Sequence, residues 1–233
     1  MSILDRAVRR YLSRKGLSVV REPDLADFLE TRSVDLIIDV GANRGQFAAE
    51  LRAIGYHGRI HSFEPLPDAF AELEGYASRD SLWELSNVAV GRQPDELEIN
   101  VAENNVFSSF RPLSEEGERF DPHSRTVGKR RVPVVTLDDA LRDATAKSIF
   151  LKIDTQGFEE EVLAGAKSML ERCVGVQLEL PVDHLYEGVW SFTEALTAME
   201  RYGFVPAQFR TVNPRARDRA AAVEFDVIFR RKD

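Results

Sequence analysis

The chain has a single cysteine, Cys173, so no internal disulfide can form and a reducing compartment is expected. Its place beside Val174, at the entrance of an apolar stretch, reads as a packed thiol rather than a reactive one. No uninterrupted run of about 18 apolar residues occurs, which excludes a membrane-crossing helix of the usual kind. The first residues also lack the apolar core of a signal peptide, which makes a cytoplasmic location the expectation. Basic charge is not in excess: the formal net charge is −8 and the pI about 5.2, which argues against a nucleic-acid partner, since that would require a basic face. His57, His61 and His123 show no clustered spacing of the kind that holds zinc. Repeats and low-complexity tracts are missing as well. What remains is an ordinary globular composition, 233 residues and 43% hydrophobic, enough for one core built on a single sheet with helices on both faces.

The densest information lies between Val34 and Pro65. The apolar run Val34 to Val40 has the length of a buried parallel strand and ends at Gly41. Gly41 and Gly45 allow a sharp turn and a close approach of backbone to ligand. Gln46 to Ile54 then places Phe47, Leu51 and Ile54 on one helical face, so the first amides of that helix point back toward the turn. A second strand, Arg59 to Phe63, leads into Glu64, roughly 20 residues beyond the glycines, where doubly wound folds put an acid on ribose hydroxyls. A dinucleotide site needs a second glycine so that a pyrophosphate can lie against the backbone. Asn43 stands there instead. The loop suits a nucleoside ligand with an amino acid end and no phosphate, a description that S-adenosylmethionine meets.

Further along, Pro67 suits the first turn of a helix over Asp68 to Tyr76. Trp83 to Val90 reads as a third strand that ends near Asn87, and the alternating Asp95 to Ala102 as a further strand that interrupts the strand-helix order, a β excursion after strand 3. Glu103 to Arg131 is polar and longer than the roughly 12–15 residues at which structureless loops become uncommon. It is either a substrate lid or a solvated loop, and it carries Asn104, Asn105, Ser108, Ser109, Arg111, His123, Arg125 and Lys129-Arg130-Arg131. Strands follow over Val132 to Leu137, from Ile149, and over Val174 to Leu180; helices over Asp138 to Arg142, Glu159 to Glu171 and Phe192 to Arg201. The last two strands, Phe204 to Arg210 and Val223 to Phe229, read as antiparallel. At the N-terminus, Ile3, Leu4, Ala7, Val8, Tyr11 and Leu12 share a helical face, with Arg6, Arg9, Arg10, Arg14 and Lys15 elsewhere. This helix either packs on the domain or touches anionic lipid. Residues 1–30 are expected to form a helical extension and 31–233 the cofactor-binding domain.

Asp154 falls at the carboxyl end of an inner strand, where open α/β sheets bind ligands. Taken together, Ile38-Asp39-Val40-Gly41-Ala42-Asn43-Arg44-Gly45, Phe63-Glu64-Pro65, Asn87-Val88-Ala89-Val90-Gly91, Val135-Thr136-Leu137-Asp138 and Leu151-Lys152-Ile153-Asp154-Thr155-Gln156-Gly157-Phe158-Glu159 resemble the FkbM-type S-adenosylmethionine-dependent methyltransferases. The five blocks, in order, span most of residues 34–180. Gln156 departs from the glutamate common at its position. The resemblance implies an α/β, Rossmann-like class I methyltransferase with a mostly parallel seven-stranded sheet and an antiparallel C-terminal strand. It also implies O-methylation of a small-molecule hydroxyl, on a sugar, glycolipid or other secondary metabolite. By the resemblance, Asp39, Gly41, Asn43 and Gly45 line the methionine end of the cofactor, Glu64 holds the ribose, and Asn87 and Val88 border the adenine. Asn87 has the alternative role of capping a strand end.

Taking the proton from an acceptor hydroxyl needs a base. His184 is the first candidate, because a side chain with a pKa of about 6.5 suits that task better than an ordinary carboxylate. The rival arrangement is Asp154 with Glu179 on the adjacent strand, which together could hold a Mg²⁺ that acidifies the hydroxyl. Lys152 is expected to pair with a carboxylate. Two other functions stay open at this point: an NAD-linked oxidoreductase on a similar sheet, which Asn43 disfavours, and a non-catalytic S-adenosylmethionine-binding scaffold that recruits a partner through the basic N-terminal helix. Assembly into a homo-oligomer is left open, and the acceptor is unnamed by any motif.

Overall fold

Two five-residue runs, β1 (Leu36–Val40) and β7 (Ile149–Ile153), are buried at every position and lie side by side in parallel register, Leu36 against Ile149 and Val40 against Ile153. Strands covered on both faces lose the polar alternation of an exposed sheet, and these two are apolar except for one charged residue each, Asp39 and Lys152, placed opposite one another. In the computed structural model, which describes residues 11, 12, 14, 15, 22–214 and 221–232, they form the centre of a seven-stranded sheet. The amphipathic face expected at Ile3, Leu4, Ala7 and Val8, with its lipid contact, lies outside the described residues.

Outward on one side run β2 (Arg59–Phe63) and β3 (Trp83–Ser86), both parallel; on the other, β8 (Cys173–Pro181) is parallel and β10 (Ala222–Arg231) antiparallel, with β9 (Phe204–Pro214) at the edge. The order β3-β2-β1-β7-β8-β10-β9 is the expected sheet with its antiparallel C-terminal strand. Successive side chains alternate faces. Ile38, Val40, Leu151, Val176 and Phe229 pack into one core, and Ile37, Phe150, Leu51, Ile60 and Ile228 into the other. Helix α1 (Leu25–Thr31), capped reciprocally by Asp24 and Asp27, brings Phe28 edge-on to Phe150 with ring centroids 5.5 Å apart. Cys173 is buried, and burial pushes its thiol up to about 12, in keeping with a packed role. No helix among the described residues is long and apolar enough to cross a membrane.

Chain breaks that depend on tertiary contacts set three boundaries, and two of them change an expectation. The strand from Trp83 ends near Asn87, as expected. β3 stops at Ser86 because the Asn87 amide donates to the carbonyls of Glu64 (2.8 Å) and Pro65 (3.3 Å), and β4 (Ala89–Val90) leaves for a separate three-stranded sheet, β4-β6-β5. In that sheet β5 (Asp95–Ala102) and β6 (Thr126–Val135) are antiparallel, which builds the expected excursion. The supposed loop over Glu103 to Arg131 thus ends at Arg125. Lys129-Arg130-Arg131 lies on a strand, with Lys129 reaching Glu98 at 2.9 Å, and its exposure on the ribbon hid the pattern. The helix expected from Glu159 to Glu171 is two, Glu159–Ala164 and Lys167–Arg172. Between them Gly165 packs so tightly on the excursion that a Cβ there would sit 2.0 Å from the Gly91 carbonyl oxygen, and Asp138 accepts the Ser168 and Met169 amides to start the second piece.

Candidate functional site

At the carboxyl ends of β1, β2 and β7 a cavity of about 270 Å³ opens, near the lower end of the range for small-molecule sites. Its first wall is the turn after β1. Gly41 holds φ +78, and a Cβ on it would lie 1.9 Å from the Asp154 backbone oxygen. Only glycine lets the β1 turn and the β7 exit touch in this way. The Gly41 and Ala42 amides both donate to the Phe63 carbonyl, which ties the turn to β2. Asn43 follows in the left-handed region at φ +48, and its amide donates to Glu64 Oε2 at 2.9 Å; the Leu66 amide donates to Oε1 at 2.8 Å.

Glu64 is therefore buried, clamped and still open to the cavity. Burial pushes its carboxyl up to about 7, against the pull of the Leu66 and Asn43 amides. In the unfolded chain it titrates near 4.5. Between those two values the unfolded state binds fewer protons, so folding stability falls as pH rises through the window. The ligand-free protein is expected to lose about 3 kcal/mol across it from this group alone, and Glu64→Gln to remove that slope. Urea denaturation midpoints between pH 5 and 7.5 test this; an unchanged slope in the variant would rule Glu64 out as the source.

The opposite wall is built around Lys152, buried on β7. Its ammonium lies 3.1 Å from Asp39 Oδ1, 3.5 Å from Asp154 Oδ2 and 3.2 Å from the Gly41 carbonyl. Burial works against the charge, but Asp39 and Asp154 raise its pKa above the ordinary lysine value. Asp154, its side chain about one-third exposed, faces the cavity. Its other oxygen accepts from Gln156 Nε2 at 2.7 Å, and the same amide donates to Glu179 Oε2 at 2.8 Å. Gln156 sits at φ +56, a backbone outlier of the kind that concentrates at functional sites, and Tyr186 donates to its Oε1 at 2.9 Å. Glu179 is raised well above the usual carboxylate range by burial and by Asp154.

Of the expected residues, Gly41, Asn43, Glu64, Val88 and Asp154 line the cavity. Asp39 is fully buried behind it, paired with Lys152 and receiving the Ser62 hydroxyl at 3.3 Å. Gly45 starts helix α2 (Gln46–Ala53) against Leu73 and Trp83. Asn87 makes the capping bonds already described. His184 is exposed and outside the lining: the segment after β8 turns Leu185 and Tyr186 inward, leaving the histidine ring on the surface. Asp154 and Glu179 meet through the Gln156 amide, and no group of three His, Cys, Asp or Glu arranged for a metal occurs among the described residues. Sequence reasoning did not single out Phe47, Leu66, Ile99, Phe110, Gln177, Arg210 or Asp226 as lining residues. For Gln177 the signal was there, a polar residue inside an apolar strand; Ile99, Arg210 and Asp226 depend on strand register, and Phe47, Leu66 and Phe110 on how a helix and two loops pack over the strand ends.

These residues fit S-adenosylmethionine. Each Glu64 oxygen uses one lone pair on a backbone amide and keeps another for a ribose hydroxyl. Leu66, Val88, Ala89 and Ile99 offer a flat base an apolar slot, and acidic Asp154 stands at the end where a sulfonium would lie.

A family model described as "Methyltransferase FkbM domain" matches residues 39–206. Among curated proteins, 2-O-methyltransferase NoeI of Sinorhizobium fredii is 29% identical over 230 residues, covering 93% of this chain and 84% of that protein. Among solved structures, TehB from Haemophilus influenzae superposes with a TM-score of 0.49 at 12% identity, over 97% of this chain and 67% of that one. Aeropyrum pernix fibrillarin with natively bound S-adenosyl-L-methionine gives 0.47 at 12% identity, over 84% and 66%.

Proposed function

Because this chain belongs to the FkbM methyltransferase family, we propose that it moves the methyl group of S-adenosylmethionine to a hydroxyl oxygen of a small, sugar-bearing acceptor. Methylation dependent on S-adenosylmethionine follows from the family; oxygen as the accepting atom and the sugar class are the proposal, the first supported by a relative named as a 2-O-methyltransferase and the second by the mixed donors and acceptors, Gln177, Asp226 and Arg210, in the cavity wall. The observation that carries it is one cavity lined by both Glu64, beyond β2, and Asp154, beyond β7.

When bound, the cofactor supplies an activated methyl on a positively charged sulfur. Glu64 accepts hydrogen bonds from the ribose, and the Asn43 turn shapes the backbone around the amino acid end. Asp154 receives the hydroxyl proton, while Lys152 and Gln156 hold its two oxygens in place. Alignment of the acceptor oxygen is worth up to about 7–11 kcal/mol in such reactions, and a positioned base about 10²–10⁴-fold.

Calorimetric titration with S-adenosylhomocysteine, with NAD as control, is the first test; binding of NAD alone would overturn the assignment. Methyl transfer to a panel of methyl pyranosides and methyl 2-amino-2-deoxypyranosides, followed by mass spectrometry, then reads the acceptor atom. A methyl found on nitrogen or carbon would refute O-methylation, and cofactor binding without transfer to any acceptor would favour a scaffold.

A further inference from the structure

Gln177 is 5% exposed, lies in the cavity wall, and its side-chain amide makes no hydrogen bond to any described residue. A buried amide in that state is costly unless something in the cavity satisfies it. Register places it beside Lys152 on β7, and two residues further along β8 the strand faces Asp226 of β10, itself paired with Arg210 of β9. Arg210 Nε and Nη2 both donate to Asp226 Oδ2, at 3.1 and 2.7 Å, and Nη1 reaches Glu50 at 3.5 Å. Asp226 Oδ1 is left without a hydrogen bond among the described residues. Gln177, Asp226, Arg210 and Glu50 all line the cavity; the first three stand on β8, β10 and β9, across β1 and β7 from the apolar slot that Leu66 and Val88 form beyond β2 and β3.

We propose that Gln177, Asp226 and Arg210 form the acceptor subsite, binding the hydroxyls that flank the methylated one on an uncharged pyranoside. The inference rests on the methyltransferase reading above and names its substrate class. A hydroxyl both donates and accepts, and a neighbouring pair needs the mixture on offer here: an amide with both functions, a carboxylate oxygen and a guanidinium. An anionic acceptor is disfavoured, because both cations at this end, Lys152 and Arg210, are already ion-paired. With the reacting hydroxyl at Asp154, its neighbours on the ring fall toward β8 and β10.

The test is saturation-transfer NMR on the protein saturated with S-adenosylhomocysteine, using methyl gluco-, manno-, galacto- and rhamnopyranosides, with cyclohexanol and glucose 6-phosphate as controls. At least one pyranoside is expected to bind in preference to both controls, and Gln177→Ala to weaken it about tenfold while S-adenosylhomocysteine affinity stays within about twofold. Arg210, well exposed on the edge strand, provides a second variant that leaves the core alone; Arg210→Ala should weaken the same sugar about fivefold. Unchanged sugar binding in both variants, preference for glucose 6-phosphate, or no pyranoside binding at all would overturn the subsite and leave the methyltransferase reading standing. Loss of S-adenosylhomocysteine from Gln177→Ala would instead assign Gln177 to the cofactor. Failure of S-adenosylhomocysteine to bind the unaltered protein would defeat the underlying reading itself.

Discussion

Asp154→Asn is expected to lower kcat for methyl transfer by about 10²–10⁴-fold while S-adenosylhomocysteine affinity changes by less than about threefold. The substitution keeps the size of the side chain and its place at the end of β7, but removes the oxygen charge that would receive the hydroxyl proton. Gln156 and Lys152 make the comparison a clean one. The oxygen facing Gln156 Nε2 at 2.7 Å can stay an acceptor in the amide, whereas the oxygen facing Lys152 at 3.5 Å becomes a nitrogen. The lysine then keeps Asp39 at 3.1 Å and the Gly41 carbonyl at 3.2 Å, so the turn after β1 is retained. Single-turnover kinetics at saturating cofactor, beside calorimetry on the same preparation, separate the two effects. A variant with full turnover would remove Asp154 from the chemistry and send the search for a base elsewhere in the cavity.

Gly41→Val is expected to act on the fold and the site together, with a loss of about 3 kcal/mol or more and a melting temperature lower by about 6–12 °C. Two physical costs combine. A β-branched residue at φ +78 is strained whatever surrounds it, and its Cβ would overlap the Asp154 backbone oxygen at 1.9 Å. Relief requires the β1 turn to move off the β7 exit, which breaks the Asp154 amide bond to the Val40 carbonyl and pulls Asn43 from Glu64. Cofactor affinity should fall even in whatever fraction stays folded. Thermal unfolding of the variant with and without S-adenosylhomocysteine checks this; a melting temperature within about 2 °C of the parent, with ligand stabilisation intact, would show that the turn relaxes more cheaply than its geometry allows.

The two contacts that these variants probe differ in how visible they were in the residues alone. The cofactor half is local: a buried strand, a glycine turn, a helix start and an acid one strand later lie within Val34 to Pro65, and chain connectivity alone brings them together. Glu64 could be named because its distance from the turn is set by one helix and one strand. Asp154 could be named because an inner apolar strand ended there. His184 was a guess from side-chain chemistry, and chemistry says nothing about which way a loop turns; Leu185 and Tyr186 took the inward positions.

Periodicity is also blind to places where a side chain replaces a ladder or a cap. Asn87 ends β3 by reaching the carbonyls of Glu64 and Pro65, 23 and 22 residues earlier in the chain, and Gly165 breaks a helix because Gly91 stands against it. Asn87 is readable as a strand-end cap in the sequence, but neither partner is near in sequence, so no window shows which carbonyls it reaches or that Gly91 faces Gly165.

From the residues in order came most strand and helix types, the turn after β1, the placing of Glu64 and Asp154 at strand ends beside the cavity, and the antiparallel end of the sheet, all carried by short-range patterns of burial and turn geometry. The grouping proposed as the acceptor end exists only in three dimensions. Lys152, Gln177, Asp226 and Arg210 come from four strands, and they share a cavity because parallel and antiparallel register align them on one face of the sheet. Register is a property of paired strands, set by packing across the whole core, and no single strand carries it.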